Sequence, residues 1–346
     1  MSTRSVRRRA GLLTLVAVLL LAGCESDADD ADEGTGGEQA GGGQDDDGGD
    51  GGPVTIAFSA PGADHGWLAA ITENAREEAD RHDDVEFVLT EGTNDSAAQR
   101  AQIEQLIAQD PDVLVVLPHE GDALTPVALE AMQRGIPVVN VDREFSTAQA
   151  FRTWIGGDNY GIGVQAGNYF AEQLDCQGNV VEIQGIAGIS VTELRSQGFR
   201  DAIEQCDGGI RIVASQPADF LPDRGQQVME TVLNANADID AVYTHDDDMA
   251  LGVVTAIQNA GRDDEMFLTG AGGSQAAMEM IQEGGLYRAT FLYNPSMAAS
   301  AVRVARLIAL GDGMSDLVER EVPSRIELPA TTVTQDNVDD YVDFGF

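Results

Sequence analysis

Short β-branched runs alternate with amphipathic helical stretches along most of this chain, and that alternation restricts its fold more than any other feature. The runs lie at 54–59 (VTIAFS), 85–90, 113–117 (VLVVL), 137–141, 153–156, 180–184, 210–215, 240–244, 266–270 and 288–292. Between most of them lie segments of ten or more residues with apolar positions three and four apart, such as Ile103, Leu106 and Ile107. Strands of a parallel sheet are covered on both faces and therefore read as continuous apolar runs rather than as alternating ones. The regularity breaks at Gly156-Gly157-Asp158 and again at Tyr293-Asn294-Pro295. The pattern predicts an α/β protein with two doubly wound parallel-sheet lobes, joined by a multi-strand hinge and enclosing a ligand cleft. The first lobe takes 53–157 plus about 294–322, and the second takes 158–293 plus about 323–346, with 323–334 forming two short strands.

The segment before residue 53 has another character. Arg4, Arg7, Arg8 and Arg9 precede an apolar run from Leu12 to Leu21, which is too short to span a bilayer, and Leu21-Ala22-Gly23-Cys24 follows. This is the order of a secretory signal, with residues 1–23 removed and Cys24 left as a lipidated N-terminus that tethers the protein to the outer face of a membrane. Residues 25–52 hold eleven acids, ten glycines and no aromatic residue, too little apolar surface to offset chain entropy, so 24–52 reads as a disordered acidic tether.

The chain contains 20 Arg, no Lys and 59 acids; losing four arginines with the signal brings the net charge near −43. Such a surface argues against nucleic acid and against docking on anionic lipid.

Ligands of open α/β sheets bind past the carboxyl ends of the strands. The residues found there are Asp64, His65 and Trp67; His119 and Glu120; Asp142 and Arg143; Phe220; Asp246; and Tyr293. Carboxylates and guanidinium groups supply directional hydrogen bonds to hydroxyls, while rings cover C–H faces, so the set suits an uncharged polyhydroxylated ligand. Bland roles compete: Asp246 or Asp247 could cap the helix that follows, Asp158 could cap the next, and Trp67 could be core. Asp142 and Arg143 could form a local ion pair, although adjacent side chains rarely face each other.

Several motifs mislead. Gly161-Ile162-Gly163-Val164-Gln165-Ala166, with Glu182 further on, has the spacing of a dinucleotide fingerprint. Its glycines fall inside a helix, so no cofactor is expected. His245-Asp246-Asp247-Asp248 and His119-Glu120 lack the second cluster of a metal site. Cys176 and Cys206 each end a helix before consecutive strands and are expected to form a disulfide at the edge opposite the ligand.

The stretches Val181–Gly188, Ala214–Phe220, Asp247–Gly252 and Pro137–Arg143 resemble the solute-binding lipoproteins of ABC importers related to periplasmic ribose-binding proteins, and the likeness extends over nearly all of 53–334. It implies a hinge near Gly157, Tyr293 and Pro323 and a sugar held between the lobes. Residue by residue, it implies that Asp142 and Arg143 bind hydroxyls and that Arg195, before Gly198-Phe199, does so from the other lobe. Phe220 and Trp67 match stacking aromatics, Asp246 stands where the ribose binder has an amide, and Asp64 falls at a polar contact. Departures are Leu117 and Gly272 in place of an Asn and an Asp, Gly66 in place of a ring, and Tyr293 in place of a Gln.

The expected function is non-catalytic: a monomeric receptor that delivers a small neutral sugar or polyol to a permease and ATPase complex. A sensor serving a membrane kinase or chemoreceptor is the alternative. A carbohydrate hydrolase using Asp142 and Asp246 is a more distant one.

Overall fold

The computed structural model describes residues 52–312 and 322–346; the signal segment, Cys24 and the acidic tether lie outside the described residues. The ten expected strands are present as β1 (Val54–Ser59), β2 (Val85–Leu89), β3 (Val113–Val116), β4 (Val138–Val141), β5 (Thr153–Gly157), β6 (Gly178–Gln184), β7 (Ile210–Pro217), β8 (Ala241–Thr244), β9 (Phe267–Gly272) and β10 (Tyr287–Leu292). Two short strands complete them, β11 (Arg325–Leu328) and β12 (Thr332–Thr334).

They form two six-stranded sheets with orders β11-β5-β4-β3-β1-β2 and β12-β10-β9-β8-β6-β7. All pairings are parallel except β10 with β12. The central strands are apolar on both faces, and all four residues of β3 are buried.

Helices cover the sheets. The first lobe carries α1 (Gly66–Ala79), α2 (Ser96–Ile107) and α3 (Gly121–Gln133). The second carries α4 (Asn159–Gln173), α5 (Ser190–Ile203), α6 (Pro222–Ala235), α7 (Asp247–Asn259) and α8 (Gln275–Glu283). After β10 the chain returns to the first lobe as α9 (Met297–Leu310), which packs on α1; Arg303 and buried Glu78 join the two through bonds of 2.6 and 2.7 Å. Side-chain caps fix several helix starts: Asp95 accepts from Ala98 N at 2.7 Å and Asp158 from Gly161 N at 2.7 Å.

The return to the second lobe comes one strand later than expected near 323. Arg325–Leu328 pairs with β5 in the first sheet, and only Thr332–Thr334 joins the second, so the third crossing runs through 329–331. Both segments are short, and their sequence carries nothing to say which edge each will meet.

Cys176 and Cys206 form a disulfide, with Cα atoms 5.0 Å apart, beside the amino ends of β6 and β7 and therefore away from the carboxyl ends of the strands.

A candidate sugar site between two sheet edges

In each sheet the strand order reverses about its first strand, β1 in one and β6 in the other, which places a topological switch point on both sides of one gap. The carboxyl ends of the strands meet there around a narrow cavity of about 20 Å³. His65, Trp67, Asp142 and Arg143 wall it from the first lobe, Val191, Arg195, Phe220, Asp246, Ala271 and Gly272 from the second, with Tyr293 on the crossing between them.

Eight of the ten sequence-derived ligand residues wall this cavity. Asp64 and His119 do not. Asp64 Oδ1 lies 2.6 Å from His65 Nδ1, and the His119 carbonyl accepts from Arg143 Nη1 at 2.7 Å, so each orients a neighbour that does. Glu120 lines an outer pocket on the far side of Arg143. Val191 and Ala271 were not foreseen, because a buried small apolar residue at a cavity wall has the same sequence signature as core.

Asp142 follows β4 in the left-handed region at φ 60°, which turns its carboxylate away from the strand direction. Its backbone carbonyl accepts from Trp154 Nε1 at 2.9 Å, and its side chain accepts from the Tyr293 hydroxyl. The local ion pair judged improbable from adjacency is present: Arg143 Nε lies 3.8 Å from Asp142 Oδ2. The left-handed turn brings the neighbours together. Arg143 Nε has no hydrogen-bond partner among the described residues. Burial pushes the Asp142 carboxyl up despite Arg143 and Tyr293.

Arg195 is 3% exposed and comes from within α5. Its Nε donates to Asn159 Oδ1 at 2.8 Å, its Nη1 to the His245 carbonyl, and its Cζ sits 4.6 Å over the Tyr293 ring. The glycines of the false dinucleotide motif belong to this arrangement: a methyl group on Gly163 would stand 2.1 Å from the Arg195 carbonyl, so glycine there lets α4 and α5 approach closely enough to aim the guanidinium inward.

Behind it, buried Glu182 accepts from Arg200 at 2.6 Å and Ser215 at 2.7 Å and lies 3.3 Å from His245 Nε2. Burial favours the protonated acid, but donation from His245 and Ser215 outweighs it and holds Glu182 below the usual carboxylate range.

Asp246 does cap its helix, accepting from Met249 N at 3.0 Å, and it also faces the cavity. Burial raises its carboxyl to about 7, with His65 opposing and Asp248 adding to the rise. Asp158 is a cap alone among the described contacts, and Asp247 is turned inward to Tyr287, Thr290 and two backbone amides. His65 is shifted upward: burial acts against this, and the Asp64 bond and the carboxylates of Asp246 and Asp248 overcome it.

Trp67 packs in the core and also walls the cavity; its Nε1 donates to the Tyr293 carbonyl at 2.7 Å and its ring stacks on Tyr293 at 5.4 Å. Tyr293 presses against the hinge, where a side chain at Gly157 would lie 2.2 Å from its ring. His65 and Phe220 face each other across the gap at 6.2 Å.

Known proteins share both the sequence pattern and the two-lobed fold. Residues 56–313 fit the family model described as a periplasmic binding protein domain. The chain belongs to that family.

Among characterised members, the ribose import binding protein of Escherichia coli (strain K12) is 30% identical over 258 residues, covering 75% of this chain and 86% of that one. The galactofuranose-binding protein of the same organism is 31% identical over 256 residues, 72% of this chain and 80% of its own. An ABC transporter solute-binding protein from Bacillus halodurans C-125, solved with bound myo-inositol, superimposes with a TM-score of 0.78 at 28% identity, covering 85% of this chain and 99% of that one. These relatives are binding proteins, not enzymes, and the periplasmic binding protein family works outside the cytoplasm.

Proposed function

We propose that this periplasmic binding protein captures a neutral monosaccharide or polyol between its lobes and presents it to an ABC importer. The observation that carries this is the gap between the lobes, where carboxylates and guanidinium groups lie among aromatic rings and the contributions come from both sheets. Ribose, galactofuranose and myo-inositol, the ligands named for the relatives, share dense hydroxyls and no charge. Asp142 and Asp246 accept from ligand hydroxyls, Arg143 and Arg195 donate to ligand oxygens, and Trp67, Phe220 and Tyr293 cover the C–H faces. Unused donor capacity on buried Arg143 Nε is a further reason to place an oxygen-rich guest beside it.

The Leu21-Ala22-Gly23-Cys24 sequence supports anchoring through lipid on Cys24, with the acidic tether holding a monomeric receptor off the membrane. Closure by rotation about the three crossings supplies the shape that a permease distinguishes from the open receptor.

Thermal shift and calorimetry against D-ribose, D-allose, D-fructose, D-galactose and myo-inositol test the proposal. At least one should raise the melting temperature and bind without being turned over. A flat response to pentoses, hexoses and polyols, or release of product from any of them, overturns it.

A further inference from the structure

The lobes also touch through Asp248, which is not itself part of the cavity wall. α1 begins at Gly66 with no side-chain cap from His65 and no acid in its first turn, so its leading amides lack the anion that helix starts favour. The Trp67 amide instead donates to Asp248 Oδ2 at 3.1 Å, and Asp248 belongs to α7 of the other lobe. Of the three consecutive acids at the start of α7, Asp246 caps its own helix and Asp247 is turned inward, which leaves Asp248 to reach across. Gly66 makes the approach possible, since a Cβ there would stand 2.9 Å from Asp248 Oδ1.

We infer that Asp248 is an inter-lobe latch: a carboxylate of the second lobe that caps a helix of the first only when the lobes are closed, and so sets the closed-to-open ratio without touching ligand. Other contacts across the gap, such as Tyr293 with Asp142 and His65 with Phe220, lie in the cavity wall and are open to rearrangement by a guest. Asp248 is not in that wall, and its partner is the backbone amide of Trp67 rather than a side chain. Apparent affinity scales with the fraction of receptor in the competent state, so the latch tunes binding of any ligand by the same factor. A charge-assisted bond at a helix start is expected to shift that ratio by about tenfold.

The inference rests on lobe closure, and its test uses no ligand, so its failure is distinguishable from failure of the sugar assignment. Spin labels at Gln105→Cys on α2 and Gln227→Cys on α6, in a chain carrying Cys24→Ser, report the lobe separation by pulsed electron resonance. Asp248→Ala should lower the closed-to-open ratio about tenfold, Asp248→Asn by less because it keeps an acceptor oxygen, and Asp263→Ala, an exposed acid elsewhere on the second lobe, not at all. Gly66→Ala approaches the same contact from the first lobe and should lower the ratio even where Asp248→Ala folds poorly. An unchanged ratio in Asp248→Ala and Gly66→Ala, or an equal fall in Asp263→Ala, overturns the latch.

Discussion

The two lobes repeat one strand order, yet they hold their cavity-facing charges by different means. In the first lobe Asp142 and Arg143 sit directly at the end of β4, aimed by one left-handed residue and a few backbone bonds. In the second, Arg195 projects from a helix and is held at a distance by Asn159, the His245 carbonyl and a buried group around Glu182. A charge at a strand end takes its position from the sheet. A charge on a helix depends on what braces it, so the second lobe should be sensitive to substitutions that never meet the ligand.

The largest effect should come from the charges themselves. Asp142→Ala and Arg195→Ala are each expected to weaken binding of the best sugar by about 100-fold in calorimetry while circular dichroism stays native, because each leaves buried partners unsatisfied in both ligand and protein. Equal affinity in either variant would remove that residue from the site.

Removing the disulfide tests whether the second lobe depends on its far edge. The double variant Cys176→Ser, Cys206→Ser should lose about 3 kcal/mol of stability, from release of loop-closure entropy in the unfolded chain, with sugar affinity at 25 °C unchanged. A change in affinity would mean that the edge opposite the cavity shapes the site.

Glu182→Gln sharpens the contrast between the lobes. It should cost about 2 kcal/mol in denaturant unfolding by weakening buried charge-assisted bonds, and should reduce sugar affinity about threefold through Arg195. A first-lobe change of similar cost far from the cavity, Glu78→Gln on α1, should leave affinity untouched. Parity between the two would erase the distinction.

Stability against pH divides the two lobes most finely. Glu78, bonded to Arg303, Arg81 and His82, is held down to about 2, against an ordinary value of 4.5. Its stabilisation is complete above about pH 4.5 and is lost as pH falls through about 2. Asp246 has the opposite sign. Its folded carboxyl, at about 7, binds a proton that the unfolded chain has already released, so the unliganded protein should lose stability as pH rises from about 4 to about 7. Asp246→Asn should flatten that decline and gain about 1 kcal/mol at pH 8 in chemical denaturation, while binding sugar less well. A wild-type profile that climbs over the same range would show Asp246 to be ionised throughout.

Much of this was open to inspection before any coordinates. The β-branched runs located the strands because parallel strands buried on both faces have no polar alternation, and the positions just after them located seven of the cavity residues, while Arg195, inside a helix, came from the family resemblance. What escaped has physical reasons. Whether Asp64 and His119 reach a cavity or support a neighbour depends on loop turns that periodicity does not encode. The pairing of Asp142 with Arg143 required a left-handed residue, which Asp tolerates but does not announce. Asp248 drew notice only as the end of the His245–Asp248 run, and its contact depends on α1 being placed opposite it. The edges chosen by β11 and β12 follow from sheets already assembled, not from the few residues in each strand.

The three crossings also govern the order in which the molecule can be completed. The first lobe lacks α9 until residue 310 has been synthesised and lacks its edge strand until residue 328, so its hydrophobic faces stay partly uncovered while all of the second lobe up to β10 is made. A ribosome therefore completes both halves only within the last stretch of the chain, the first at β11 and the second at β12.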